Sequence, residues 1–263
     1  MRIDFHTHCF PDKIAARAME NLSRTAAIHP VTDGTAAGLV SMLDADGVDK
    51  AGVLSIATNA HQQKAVNDFA AMIQSDRLYA FGSVFPDAPD ALDELERIKA
   101  LGLRGVKLHP EYQQFYADDE KMKPIYKKIS QLGLVTVFHA GVDNGYLPPY
   151  HCMPDHLLRA LSWFDSPVVA AHWGGQGCNA EVLDKLCGIE QLYFDTAYGY
   201  GTVVPILAKK IIEKHGADKI LFASDAPWNS SAQDMYVLEC LGLTEAEKEM
   251  IYWKNALKLL GGN

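Results

Sequence analysis

Asp4-Phe5-His6-Thr7-His8, at the start of the chain, is the stretch whose reading decides the fold. Alternate side chains of a strand share a face, so His6 and His8 present two imidazoles to one point at the strand's end. Taken alone, the pair equally describes two solvated histidines on an edge strand. Three residues further on change the weighting: His139, His172 and Asp225 each follow an apolar run that reads as a strand. Four strand ends that converge on one rim require strands running in the same direction.

Working outward, apolar runs alternate with amphipathic segments, the pattern of βα units around a parallel sheet. Strands are expected at 2–8, 50–56, 78–85, 104–108, 134–138, 167–171, 191–195 and 219–223, with helices near 60–74, 89–101, 119–131, 180–186 and 204–214. Thr244-x-x-Glu247 reads as a capping box opening a terminal helix that stops at Gly261-Gly262. Eight parallel strands in 263 residues predict one (β/α)8 barrel over 1–263. Two connections are longer than a barrel needs. The first, 9–47, holds helical pieces near 12–23 and 35–46 and is a lid candidate; the second, 140–154, is punctuated by Gly and Pro and reads as a functional loop.

Composition narrows the function classes. With 48% hydrophobic and 22% charged residues, the chain has material for a large core. Thirty-three acidic against 24 basic residues give a formal charge of -9, which repels nucleic-acid phosphates and anionic membrane surfaces. Five scattered cysteines without Cys-x-x-Cys spacing suggest neither a disulfide framework nor a zinc knuckle, so a reducing cytoplasm is expected. No basic leader with an apolar run is seen, nor an apolar segment near the ~20 residues of a membrane span. A small-molecule substrate is the expected partner, and pairing through outer helices into a homo-oligomer is compatible with such a barrel.

The chain resembles the amidohydrolase superfamily of metal-dependent barrels, in the branch that includes aminocarboxymuconate semialdehyde decarboxylase. The resemblance rests on Asp4-Phe5-His6-Thr7-His8, Gly105-Val106-Lys107-Leu108-His109-Pro110, His139, His172-Trp173-Gly174-Gly175, Phe222-Ala223-Ser224-Asp225-Ala226-Pro227 and Asn255-Ala256-Leu257, in order along nearly the whole sequence. It implies that His6, His8, His139 and Asp225 hold a divalent ion and that His172 is a catalytic partner. Imidazole and carboxylate donors suit zinc first, with manganese, iron, cobalt or nickel as alternatives. Asp225 can also accept a proton beside the metal, and His172 can donate one. Lys107 occupies the position where dinuclear relatives carry a carboxylated bridging lysine; the alternative is an ammonium facing a substrate carboxylate.

Each assignment competes with a structural one. His139 and His172 also suit core histidines satisfied by carbonyls, and Asp225 suits a helix cap. His61 and His156 read as surface helix residues, His29 as a loop residue, and His215 as a cation at a helix C-terminus. Aromatics crowd the loops after the strands; Tyr112, Tyr146, Tyr150, Trp173 and Trp228, with Lys107, are the substrate-binding candidates, about half of the aromatics being expected merely to pack loop on loop. Of seven arginines only Arg17 and Arg24 are placed to reach the mouth, which argues against a polyanionic substrate. The expected activity is hydrolysis of a C–N or C–O bond in a small cyclic or aromatic molecule, with metal-dependent decarboxylation second and a non-catalytic binding barrel third.

Overall fold

The computed structural model describes residues 1–261. Its strands are β1 (Ile3–Thr7), β2 (Lys50–Leu54), β3 (Leu78–Phe81), β4 (Gly105–Leu108), β5 (Val135–Phe138), β6 (Val168–Ala170), β7 (Leu192–Asp195) and β8 (Ile220–Leu221). They pair in parallel as β1-β2-β3 and as β4 through β8. Backbone bonds seal both seams: Gly82 N–H donates to Gly105 O (2.9 Å) between β3 and β4, and Phe5 N–H to Phe222 O (2.8 Å) between β8 and β1. The ring therefore closes into a (β/α)8 barrel, which leaves no sheet edge.

Burial divides along the strands as a closed barrel demands. Ile3, Phe5, Leu54, Phe81, Val137, Val169 and Leu221 come from strands all round the ring and meet in one cluster, which fills the interior. Val53, Ala80, Val106, Phe138, Ala170 and Phe194 face the other way, into the larger cluster shared with the helices. Side chains two residues beyond the interior positions point at the open end. By that parity Lys107 on β4, His139 just after β5, Asp195 on β7 and Asp225 after β8 reach the mouth.

β1 departs from simple alternation. Asp4 pairs with Ala51 but Thr7 with Val53, so three steps on β1 oppose two on β2. That extra residue lets Ile3 and Phe5 fill the interior and His6 still turn to the same side. After β6 the change of direction comes from backbone: His172 and Trp173 have φ of 61° and 58°, and Asp225 has 67°. Non-glycine residues held in the left-handed region cost free energy and gather at functional sites.

The helices differ from expectation in places. α1 (Asp12–Ala26) and α2 (Ala36–Asp46) fill the first connection, and α3 (Gln63–Ile73) follows β2. The last helix is three pieces, Glu245–Glu249, a π-turn segment Met250–Lys254, and Asn255–Leu260, capped by Gly261 at φ 69°; the expected stop at Gly262 lies outside the described residues. Helices Pro154–Leu161 and Ser231–Glu239 were not read as separate elements. The second opens on a Ser230/Gln233 capping box that the preceding Pro-Trp-Asn run hides. Among the described residues no helix is long and apolar enough to cross a membrane. All five cysteines are free thiols.

Candidate metal centre at the barrel mouth

Three acceptor atoms define the centre of the site. His6 Nε2 and His8 Nε2 lie 3.1 Å apart, His8 Nε2 is 3.1 Å from Asp225 Oδ1, and His6 Nε2 is 3.3 Å from that oxygen. The tautomers follow from the partners of the other ring nitrogens. His8 Nδ1–H donates to Leu54 O (2.7 Å), and His6 Nδ1–H to Asp195 Oδ2 (2.8 Å). Both Nε2 atoms therefore turn lone pairs toward each other and toward a carboxylate. Burial holds the His6 imidazolium well below its ordinary pKa, so a proton does not relieve the repulsion. A cation does: donors about 2.1 Å from a tetrahedral ion sit roughly 3.4 Å apart, close to the spacing found. The donor set fits a divalent metal.

Around this triangle stand three more groups. Lys107 Nζ is 3.3 Å from His6 Nε2; its side chain is buried, and burial lowers its pKa to about 8. His172 donates from Nδ1 to Ala197 O (3.2 Å), leaving Nε2 as an acceptor 3.0 Å from His139 Nδ1. Burial takes His172 down to about 4 and His139 well below its ordinary value, so both rings are neutral. His6, His172 and Asp225 each offer a ligand atom within one 4.8 Å group. His139 falls in an adjoining group with His109 and Asp143. Its Nε2 is buried, 3.8 Å from Asp143 Oδ2, and has no hydrogen-bond partner among the described residues.

Asp195 is the site residue that sequence reasoning passed over. Besides His6 it accepts from the backbone N–H of His172 (2.8 Å) and Ala197 (3.1 Å), tying β1, β6 and β7 together at one carboxyl. Burial pushes its pKa up to about 7, opposed by the Lys107 ammonium. A carboxylate that orients a ligating imidazole is commonly worth 10–100-fold in metal affinity. Asp195→Asn is accordingly expected to weaken metal binding by about that factor while the chain stays folded, read by competition with a colorimetric chelator. An unchanged affinity would reduce Asp195 to a packing role. His109 and Asp143 were missed as a pair too: His109 Nε2 is 3.3 Å from Asp143 Oδ2, and the His109 ring is stacked between Tyr112 and His139.

The mouth opens into a cavity of about 590 Å³. Of the substrate-binding candidates, Tyr112, Trp228 and Lys107 line the cavity, together with Phe10 and Tyr198. Tyr146, Tyr150 and Trp173 are not among the lining residues. Trp173 is 2% exposed and packed in the core, because its left-handed backbone turns the indole inward; Tyr146 is exposed and leans on Tyr112 from outside. Arg17 and Arg24 do not line the cavity either, since both lie on the outer side of α1. His215 is no cation at its helix end: it is buried between Gly188 N–H and Leu192 O, and burial lowers it to about 4.

Fold and donor set together define a barrel enzyme class whose chemistry is organised around a cation at the C-terminal rim. The chain belongs to the amidohydrolase family, whose model, described as Amidohydrolase, matches residues 3–262. No functionally curated protein matches the sequence. Similar solved structures include an uncharacterized TIM-barrel protein from Bordetella bronchiseptica (TM-score 0.80, 19% identity, 99% of this chain and 98% of that one). Others are 5-carboxyvanillate decarboxylase from Sphingomonas paucimobilis (0.72, 14%, 100% and 99%) and a probable 2-pyrone-4,6-dicarboxylic acid hydrolase from Acinetobacter baumannii (0.70, 19%, 99% and 99%).

Proposed function

We propose that this chain is a metal-dependent hydrolase of a C–N or C–O bond in a small cyclic or aromatic substrate. The observation that carries the reading is the triangle of three lone-pair donors, His6, His8 and Asp225, converging on one point with no proton among the three and the Lys107 ammonium 3.3 Å from one of them. His139 completes the proposed ligand set through Nδ1 in the tautomer that moves its proton from Nδ1, where it faces His172, to Nε2, where Asp143 Oδ2 stands 3.8 Å away. Zinc is the first candidate and manganese, iron, cobalt and nickel follow, since these donors discriminate weakly. Such an ion, when bound, polarises a carbonyl and lowers the pKa of a coordinated water toward ~7.

The protein groups then divide the work. Asp225, whose Oδ1 faces the same point as the two Nε2 atoms, would hold the ion through that oxygen and could take a proton from water through its second carboxylate oxygen. His172, fixed by Ala197 O and within 4.8 Å of Asp225, is neutral with its Nε2 lone pair free, so it would first take at Nε2 the proton that Asp225 collects and then pass it to the departing oxygen or nitrogen. Lys107 supplies the one lysine or arginine among the described lining residues, and it steadies negative charge on the substrate. The aromatic walls, Phe10, Tyr112, Tyr198 and Trp228, suit a flat ring.

Decarboxylation of a cyclic or aromatic acid is the second reading, and two observations favour it. A buried cation beside the metal position can hold a carboxylate, and the fold is shared with 5-carboxyvanillate decarboxylase. Hydrolysis ranks first because one lysine without an arginine is thin provision for an acid substrate. Screening lactones, cyclic amides and hydroxylated aromatic acids while recording proton release and carbon dioxide separates them. Proton release from a lactone or amide, abolished by chelation, is the expected result. Carbon dioxide from an aromatic acid, with no lactone or amide cleaved, would reverse the order.

A further inference from the structure

The cavity is far larger than an ion and one ring require, and it is chemically divided. At about 590 Å³ it falls in the range of ~300–1,000 Å³ typical of sites for drug-sized ligands. Its charged side chains among the described residues, Lys107, Asp143 and Asp225, all stand at the barrel end. Away from that end the walls become Ile14, Ala18 and Leu22 of α1 facing Ala65, Val66 and Phe69 of α3. The polar lining residues on this side, Thr58, Gln62 and Asn21, are uncharged.

The stripe on α1 is not the one that holds the helix down. Ala15 and Met19 are its buried residues, and Met19 packs so closely on Gly34 that a Cβ there would meet its Cγ at 2.7 Å. Ile14, Ala18 and Leu22 follow at i, i+4 and i+8, a second row beside the anchoring one. This row is only partly covered: Ile14 is 50% exposed, and Ala18 and Leu22 are half-buried. An apolar row outside the buried anchor of α1, on the wall of a cavity that ends at the donor triangle, is placed to meet a ligand.

We infer that the substrate carries an elongated, uncharged apolar arm lying between α1 and α3, with its reacting head at the His6–His8–Asp225 triangle. This rests on the metal-dependent reading above. From Ile14 to Leu22 the row runs about 12 Å, room for roughly ten extended chain atoms. Substrate selection by arm length then falls to the helix inserted after β1, which gives the long first connection a purpose beyond covering the mouth.

A homologous series of alkyl hydroxamates, from acetohydroxamate to decanohydroxamate, tests the arm by titration calorimetry on zinc-loaded protein. Each added methylene is expected to lower Kd by about two- to fourfold up to the octano member, then level off. Ala18→Trp, which fills the row, is expected to keep its zinc and flatten the slope. A flat slope in the wild type that binds acetohydroxamate overturns the arm and leaves the metal reading standing. So does a slope that survives both Ala18→Trp and Val66→Trp. If the protein takes up no zinc, the metal reading fails, and the arm is judged by 1-octanol against 1-butanol in thermal shift. Octanol raising Tm in wild type but not in Ala18→Trp supports it, and equal shifts sink it. A wild-type dimer that Ala18→Trp converts to monomer, with a flat slope in both, assigns the row to a second copy and overturns the proposal.

Discussion

His6→Ala is expected to strip the chain of its divalent ion and reduce turnover to below about 1%. Four donors that together bind a structural zinc contribute roughly 10–16 kcal/mol, so one imidazole is worth about 3 kcal/mol, or ~10²-fold in affinity. Removal of His6 does more than delete a donor. Asp195 Oδ2 loses its 2.8 Å partner inside the barrel, and a buried carboxylate without that partner costs further stability. His6 also carries the Lys107 contact, so its removal leaves that ammonium without this partner, beside Asp195 and Asp225. Metal analysis after dialysis, beside His61→Ala as an exposed control, reads the effect directly. A His6→Ala protein that keeps stoichiometric metal would remove the triangle as the binding site, and retention of activity under a strong chelator would remove metal chemistry altogether.

Much of this site was legible because a parallel barrel puts its chemistry where each apolar run stops. His139 and Asp225 lie two residues past interior-facing Val137 and Ala223, so periodicity alone brings them to the mouth. Asp195 gives the same signal after Leu192-Tyr193-Phe194, yet it belongs to no His-containing motif and was read as the end of a strand. His6 and His8 were legible for a reason that proved incomplete. Their spacing matches one strand face, but the shift between Asp4 and Thr7 is what allows Phe5 to serve the interior while His6 serves the site. Register shifts of this kind leave no local sequence mark.

The substrate walls were harder, for a physical reason. Whether an aromatic after a strand lines a cavity depends on backbone direction in the loop, which composition does not encode. Tyr112 is brought to the mouth by the short helix Pro110–Gln113, whose His109 ring accepts from Tyr112 N–H, whereas Trp173, one residue after a site histidine, is turned into the core. The first connection was expected over the mouth as a lid, but the apolar wall that α1 forms with α3 was not foreseen, because α3 reads as plain scaffold and α1 has only two buried residues.

His172→Asn is expected to keep the metal within about twofold and to lose 10²–10⁴-fold in kcat, the usual contribution of a positioned proton donor. Asparagine is the informative replacement because position 172 has φ 61°, a conformation that Asn tolerates far better than Ala or a β-branched residue. Its amide can also still donate to Ala197 O, which preserves the loop. What it cannot do is hold and release a proton at the place of Nε2, 3.0 Å from His139. The competing assignment is specific: His172 groups with His6 and Asp225 within 4.8 Å, so it has the reach of a ligand. Metal content separates the two roles. A variant that loses its metal as fully as His139→Ala makes His172 a primary ligand, and Lys107 then becomes the candidate bridge between two ions. A variant with full metal and normal kcat removes His172 from the proton transfer and leaves it to Asp225 or another group of the mouth.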